Sequence, residues 1–328
     1  MQTRELGSSG IQASVIGLGT WAMGGWMWGG TDEKSSIEAI HASLDSGVTL
    51  IDTAPAYGLG VSEQIVGKAI KGRRDQVVLA TKCGLVWHTN KGNHFFDEDG
   101  KPVHRYLGAE SIQYEVEQSL KRLQTDYLDL YITHWQDPTT PVEETMEALQ
   151  ALKQQGKIRA IGISNVNQQE LEAYQQAGTI DAVQEKYNLI ERQLEESLLP
   201  TTIKTNVSCL SYSSLAMGLL SGKISPEREF SGDDQRITDP MFTIENRRWV
   251  QQFCLSIEPI ARQKNISVAQ LVIAATLQQP GITYALCGAR NAAQALENAA
   301  AGGVVLSEEE VKFINAKSHE FFGELEMA

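Results

Sequence analysis

Eight times along this 328-residue chain a short apolar run rich in β-formers gives way to sequence with helical periodicity, and no other feature limits the possible folds as strongly. The runs are Val15–Gly19, Leu50–Asp52, Val77–Lys82, Leu128–His134, Lys157–Ile163, Ala182–Gln184, Val207–Tyr212 and Thr283–Cys287. Helix-periodic segments cover residues 36–46, 62–71, 110–123, 142–155, 167–177, 246–264, 267–278 and 292–301, with a last helix from Ser307. Strict alternation of this kind implies parallel strands joined by right-handed crossovers. Eight units favour a closed (β/α)8 barrel, the TIM barrel, over an open doubly wound sheet, with residues 1–328 as one domain. Ahead of the barrel, Arg4-Glu5-Leu6 and Ile11-Gln12-Ala13 flank Gly7-Ser8-Ser9-Gly10, the pattern of an N-terminal β-hairpin.

In such a barrel the loops after the strands share one face, so polar residues at strand ends meet there. Asp52, Lys82 and His134 each close an apolar strand, and Tyr57 lies on the loop just past Asp52. Side chains alternate along a strand, so Asp52 shares the face of Leu50, where an unpaired carboxylate would be costly. Lys82 is the cation that the acid needs. A lysine beside a tyrosine is expected to stabilise the phenolate and lower a pKa that is ordinarily near ~10, making Tyr57 a usable general acid, with His134 as hydrogen-bond donor to a carbonyl. None of these groups donates hydride, so a reduction requires a cofactor. The bland alternative is a structural Asp52–Lys82 ion pair. A second reading makes Lys82 a Schiff-base nucleophile, which its pairing with Asp52 opposes, since the amine would have to be neutral.

The loops bear on the substrate. Trp21, Trp26 and Trp28 lie among glycines after the first strand and can wall an apolar pocket. The stretch from Gly84 to about Gly108, with Trp87, Phe95 and Phe96, reads as a long substrate-side loop, and Gly222 to about Pro240 as a polar, mobile one. Gly17-Leu18-Gly19-Thr20-Trp21-Ala22 matches the dinucleotide-binding GxGxxG/A only formally, because no helix begins at its glycines. His88, His94 and His104 fit no common ligand spacing, and no metal site is expected. Cys83, Cys209, Cys254 and Cys287 are scattered, which points to reduced thiols. A net charge of −13 argues against nucleic-acid or anionic-membrane partners, and Lys71-Gly72-Arg73-Arg74 reads as a solvated helix end. With no apolar run of about 18 residues and no signal-peptide pattern, the chain is expected in the cytoplasm.

Taken together, Gly17-Leu18-Gly19-Thr20-Trp21, Asp52-Thr53-Ala54-Pro55-Ala56-Tyr57-Gly58, Thr81-Lys82, His134-Trp135, Gly162-Ile163-Ser164-Asn165, Gln184, Tyr187-Asn188, Tyr212-Ser213-Ser214-Leu215, Gly218-Leu219-Leu220-Ser221-Gly222-Lys223 and Gly288-Ala289-Arg290 resemble the aldo-keto reductases over nearly the whole chain, most closely their bacterial general-stress branch. The resemblance implies an NAD(P)H-dependent barrel enzyme that reduces small aldehydes or ketones. It implies a catalytic tetrad of Asp52, Tyr57, Lys82 and His134. It also implies a nicotinamide held by Ser164, Asn165, Gln184 and Tyr212, with Thr20 and Trp21 bordering cofactor and substrate. Ser213, Leu215, Gly218, Leu220 and Lys223 would follow the pyrophosphate; Gly288, Arg290, Gln294, Glu297 and Asn298 would hold the adenosine end. Arg290 suits a 2′-phosphate, so NADPH is expected ahead of NADH. Trp21, Trp26, Trp28, Trp87 and Trp135 would contact substrate. Three places depart from the neighbouring branch: Gln136 and Asn291 replace a frequent proline and lysine, and Gln184-Glu185-Lys186 carries charge where apolar residues are usual. A related possibility is an NADP(H)-binding redox-sensing subunit with little turnover.

Overall fold

The structure, a computed structural model, describes residues 1–323. Its strands are β1 (Thr3–Glu5), β2 (Gln12–Ser14), β3 (Ile16–Gly19), β4 (Leu50–Asp52), β5 (Val78–Cys83), β6 (Leu85–Val86), β7 (Asn93–Glu98), β8 (Lys101–Arg105), β9 (Leu128–Thr133), β10 (Ile158–Ser164), β11 (Ala182–Lys186), β12 (Ser208–Tyr212) and β13 (Ile282–Gly288). Its helices are α1 (Glu33–Asp45), α2 (Val61–Ala69), α3 (Ala109–Leu123), α4 (Val142–Gln154), α5 (Gln168–Ala177), α6 (Leu199–Thr205), α7 (Ile244–Lys264), α8 (Val268–Leu277), α9 (Ala292–Ala301) and α10 (Glu308–Phe322). Strands β3, β4, β5, β9, β10, β11, β12 and β13 pair in parallel and close into an eight-stranded barrel, as the alternation requires.

The lumen is filled in layers. Leu50, Val78, Ala80, Leu130, Ile132, Ala160, Ala182, Leu210, Tyr284 and Leu286 form its apolar middle, and Leu6, Ile11 and Ala13 join them from the β1–β2 hairpin that plugs the bottom. Gly17 leaves no room for more, since a Cβ there would meet Leu286 Cδ2 at 2.5 Å. Two residues further along each strand comes the top layer: Gly19, Asp52, Lys82, His134, Ser164, Gln184, Tyr212 and Gly288. Strand parity alone therefore assembles the polar ring.

Side-chain caps fix where several helices begin. Asp32 accepts from Ser35 N at 3.0 Å to start α1, and Asn167, Ser267 and Ser307 form capping boxes on α5, α8 and α10, each worth about 0.5–2 kcal/mol. Helix α2 has no side-chain cap, although Glu63 lies in its first turn. Its N-cap is Gly60 at φ +102, and Ser62 and Glu63 are buried instead of capping. Ser62 Oγ lies 2.7 Å from Thr20 Oγ1, while Glu63 accepts from Thr81 Oγ1 at 2.6 Å and Arg122 Nε at 2.5 Å, so these side chains fasten the helix to the barrel. Arg74 is likewise no solvated helix end, for its guanidinium donates to Asp129 at 2.8 Å and lies over the Tyr127 ring.

Two elements were not legible. The stretch from Gly84 to Gly108 is not one loop, since β6, β8 and β7 form a three-stranded antiparallel sheet there, turned by Asp99 and Gly100 at φ 49 and 72. Helix α6 bridges β11 to β12 at residues that no assigned helical segment covered. The segment from Gly222 to Pro240 folds back over the barrel mouth, where Gln235 N donates to Met27 O at 3.1 Å.

Candidate active site

Asp52 ends β4 facing the lumen and Lys82 lies near the end of β5, and both are almost fully buried. Lys82 Nζ stands 2.9 Å from both Asp52 carboxylate oxygens, 2.9 Å from Thr53 O and 3.1 Å from Tyr57 Oη. An ammonium has three protons and no lone pair. Toward Lys82 the Tyr57 Oη can therefore only accept, which leaves its own proton for another partner. Gln184 Nε2 donates to Asp52 Oδ1 at 2.8 Å, so two strands brace the carboxylate. Burying an ion pair gains little by itself, but this one is fully hydrogen-bonded, which makes it expensive to break.

The position of Tyr57 depends on a close backbone approach. Gly58 sits at φ +67, and a Cβ on it would meet Gly24 O at 2.3 Å. The tryptophan loop is thereby pressed against the tyrosine loop, with the Trp21 and Tyr57 rings 6.2 Å apart and near-parallel. His134 stands edge-on to Tyr57 with ring centroids 5.8 Å apart, and its buried Nδ1 has no partner. Burial, then the Lys82 charge, push its pKa well below the usual 6.5, so the imidazole is neutral at neutral pH.

For Tyr57 the sequence reading has the wrong sign. Burial, then the Asp52 carboxylate, push the phenol well above its usual value of 10. Burial also lowers Lys82, against the raising influence of Asp52 and Glu63. Asp52, paired with Lys82 at 2.9 Å, opposes the cation's influence on the phenol, and desolvation is the larger cause of the direction. The consequence is a tyrosine that keeps its proton.

Above this ring opens a cavity of about 790 Å3. Its inner end is lined by Asp52, Tyr57, His134, Ser164, Asn165, Gln184 and Tyr212; Ser213, Leu215, Gly218 and Lys223 follow, then Gly288, Arg290, Gln294, Glu297 and Asn298. Trp21, Trp26, Trp28 and Trp135 wall the other side. Cβ atoms on Gly19 and Gly288 would touch nothing closer than 3.9 Å and would project into the cavity, so the two glycines keep its floor open. Four expected residues stand behind the lining, Lys82 beneath Tyr57 among them. Thr20 is fully buried and its Oγ1 donates to Asp52 O at 2.9 Å. Leu220 is fully buried in the core near α7 and α8, and Trp87 packs with Ala56, Leu85 and Val103.

A backbone-and-carboxylate latch crosses the mouth. Asp233 accepts from Met27 N at 3.0 Å and Gly29 N at 2.8 Å, and Arg290 donates to Trp28 O at 2.9 Å and Gly30 O at 3.0 Å. Lys223 is paired with Glu297 at 2.6 Å. Asn291 supplies no cation beside Arg290 but caps α9, accepting from Gln294 N at 3.0 Å. Among the described residues no cluster of His, Cys, Asp and Glu could hold a metal, and no helix is long and apolar enough to cross a membrane.

Residues 15–319 match the model of the aldo/keto reductase family. The chain belongs to that family. It is 47% identical to the aldo-keto reductase YhdN of Bacillus subtilis over 96% of this chain and 93% of that one. It is 39% identical to the NADH-specific methylglyoxal reductase of Escherichia coli, over 94% and 95% of the two chains. Among solved structures it matches the glycerol dehydrogenase AKR11B4 of Gluconobacter oxydans at 36% identity and TM-score 0.89, over 98% and 97% of the chains. It is thus an NAD(P)H-dependent oxidoreductase on a (β/α)8 barrel.

The aromatic residues of the substrate-side stretch do reach the cavity of this aldo/keto reductase, but on a strand that the sequence reading did not predict. Phe95 and Phe96 reach it from β7, Phe96 stacked on Trp26 at 5.0 Å and Phe95 against Trp135 at 5.2 Å. The signal was present in Asp99-Gly100, a two-residue turn of the kind that closes hairpins. Arg228 and Arg236 also line it, Arg236 paired with Asp234 at 2.5 Å and lying 5.2 Å from the Trp28 ring centroid. No local pattern marks them out from other charged loop residues.

Proposed function

We propose that the chain reduces aldehydes or ketones to alcohols, using NADPH ahead of NADH, with Tyr57 as general acid assisted by Lys82, Asp52 and His134. The observation that carries this is the Lys82 Nζ to Tyr57 Oη contact at 3.1 Å, in which the lysine must be the donor. A bound nicotinamide supplies the hydride that no side chain here can. Tyr57 releases its proton to the carbonyl oxygen as negative charge develops there, and Lys82 stabilises the phenolate left behind. Asp52 holds the ammonium in place. Neutral His134 offers a hydrogen bond to the same oxygen, and the aromatic wall of Trp21, Trp26, Trp28, Phe95, Phe96 and Trp135 favours an apolar carbonyl compound over a highly hydrated one.

The residues suit a dinucleotide: amides of Asn165 and Gln184 at the inner end, a floor kept open by glycines, and a guanidinium at the outer end. Lys223 offsets Glu297, whereas Arg290 contacts only carbonyls and has no carboxylate partner among the described residues. A guanidinium with no ion pair among the described residues supports a 2′-phosphate ligand, in contrast to the NADH-specific relative. Arg290→Ala is expected to raise KM for NADPH by about tenfold to a hundredfold, in keeping with loss of a charge-assisted bond, and to change KM for NADH by less than about threefold. Steady-state kinetics with each cofactor check this, and equal losses would move the phosphate contact elsewhere.

The raised Tyr57 pKa also fixes a pH dependence. Reduction needs the phenol, which stays protonated from neutral pH to about 9, so kcat for reduction should be flat in Tyr57 over that range. Alcohol oxidation needs the phenolate, whose small fraction grows about tenfold per pH unit below the pKa. Oxidation rates measured at saturating substrates should therefore climb across about pH 7 to 9 without a plateau; a plateau in that window would refute the raised value.

A further inference from the structure

Glu185 is a buried acid to which the mechanism gives no task. It follows Gln184 on β11 and points away from the lumen, 6% exposed. Its Oε1 accepts from Val166 N at 3.0 Å. That amide lies in the turn leaving β10, immediately after Asn165, which adopts a left-handed φ of 56. Asn165 in turn joins three parts of the site: its Nδ2 donates to His134 O at 2.8 Å and to Ser164 Oγ at 3.1 Å, and its Oδ1 accepts from Tyr212 Oη at 2.8 Å. A side chain in that conformation is held by what fixes its turn.

We infer that Glu185 is a positioning residue for the nicotinamide end of the site: its carboxyl fixes the Asn165–Val166 turn and so the amide that ties Tyr212 to His134. This rests on the proposed assignment of the inner cavity to the nicotinamide. Burial pushes the Glu185 carboxyl up to about 8, so at neutral pH it is mostly the uncharged acid, for which glutamine is a close isostere. The uncharged acid still offers a carbonyl oxygen to Val166 N. Methionine keeps the volume but offers nothing.

The test is tryptophan-fluorescence titration of wild type, Glu185→Met and Glu185→Gln with NADPH and with its reduced acetylpyridine analogue, in which a methyl ketone replaces the carboxamide. Wild type should prefer the carboxamide form, Glu185→Met should lose about tenfold of that preference, and Glu185→Gln should keep it. A Glu185→Met preference equal to wild type overturns the inference, even if both ligands bind more weakly, because a merely structural role would weaken them alike. If Glu185→Met does not fold, Glu185→Asp decides: the shorter side chain withdraws the acceptor from Val166 N, and an undiminished preference overturns the inference. A wild-type protein that binds neither ligand overturns the cofactor reading itself, and with it this one.

Discussion

Tyr57→Phe is expected to lower kcat for aldehyde reduction by on the order of 10³-fold, and to change the dissociation constant for NADPH by less than about twofold. The substitution removes one oxygen and leaves the ring, which keeps its contact with Trp21 at 6.2 Å and its edge-on approach to His134. Lys82 loses one acceptor but keeps Asp52 and Thr53 O, so the buried charge remains paired. The loss should therefore fall on kcat, as it does when a group acts only in the transition state. Rapid kinetics on the purified variant, with fluorescence titration alongside, separate the two quantities. A variant that keeps most of its kcat would remove Tyr57 from the acid role.

Lys82→Met should be worse, because it damages both chemistry and fold. Lys82 is fully buried, so methionine fills its place at similar volume, but Asp52 is left with only Gln184 Nε2 as donor. Breaking a buried pair from one side costs about 3–5 kcal/mol, a large part of the stability of a typical domain. Denaturant unfolding should show that loss, and the reductase rate should fall at least as far as in Tyr57→Phe. The double variant Lys82→Met with Asp52→Leu should recover much of the stability and none of the activity, since an apolar pair leaves no uncompensated carboxylate. Should the single variant be as stable as wild type, the pair would not be the buried, satisfied unit described above.

The sequence exposed those features that arise from strand parity. Leu50 and Asp52, Ile132 and His134, Ala182 and Gln184 are neighbours on one strand face, so knowing that the strands are buried and parallel already places the polar residue at the top of the lumen. Long-range electrostatic balance was not readable in this way. The direction of the Tyr57 shift depends on how closely Asp52 offsets Lys82 and on how dry the pocket is, and neither is local in sequence. Ser62 and Glu63 show the same limit: their order fits the start of a helix, and Glu63 does lie in the first turn of α2, yet tertiary partners at Thr20, Thr81 and Arg122 claim both side chains. The β7–β8 hairpin was hidden because Asn93–Glu98 mixes charged and aromatic residues without alternation, although its Asp99-Gly100 turn was in plain view.

Hydride delivered to a carbonyl carbon in the cavity above Tyr57 is the step on which every proposed role depends, and isotope transfer follows it. The protein is incubated with an aromatic aldehyde and NADPH carrying deuterium at the hydride-bearing carbon of the nicotinamide, in ordinary water, and the alcohol product is analysed by mass spectrometry and NMR. Deuterium bound to the carbinol carbon, with the hydroxyl proton drawn from solvent, is the expected result. Product that forms without the label, or cofactor that binds and is never oxidised, would contradict it.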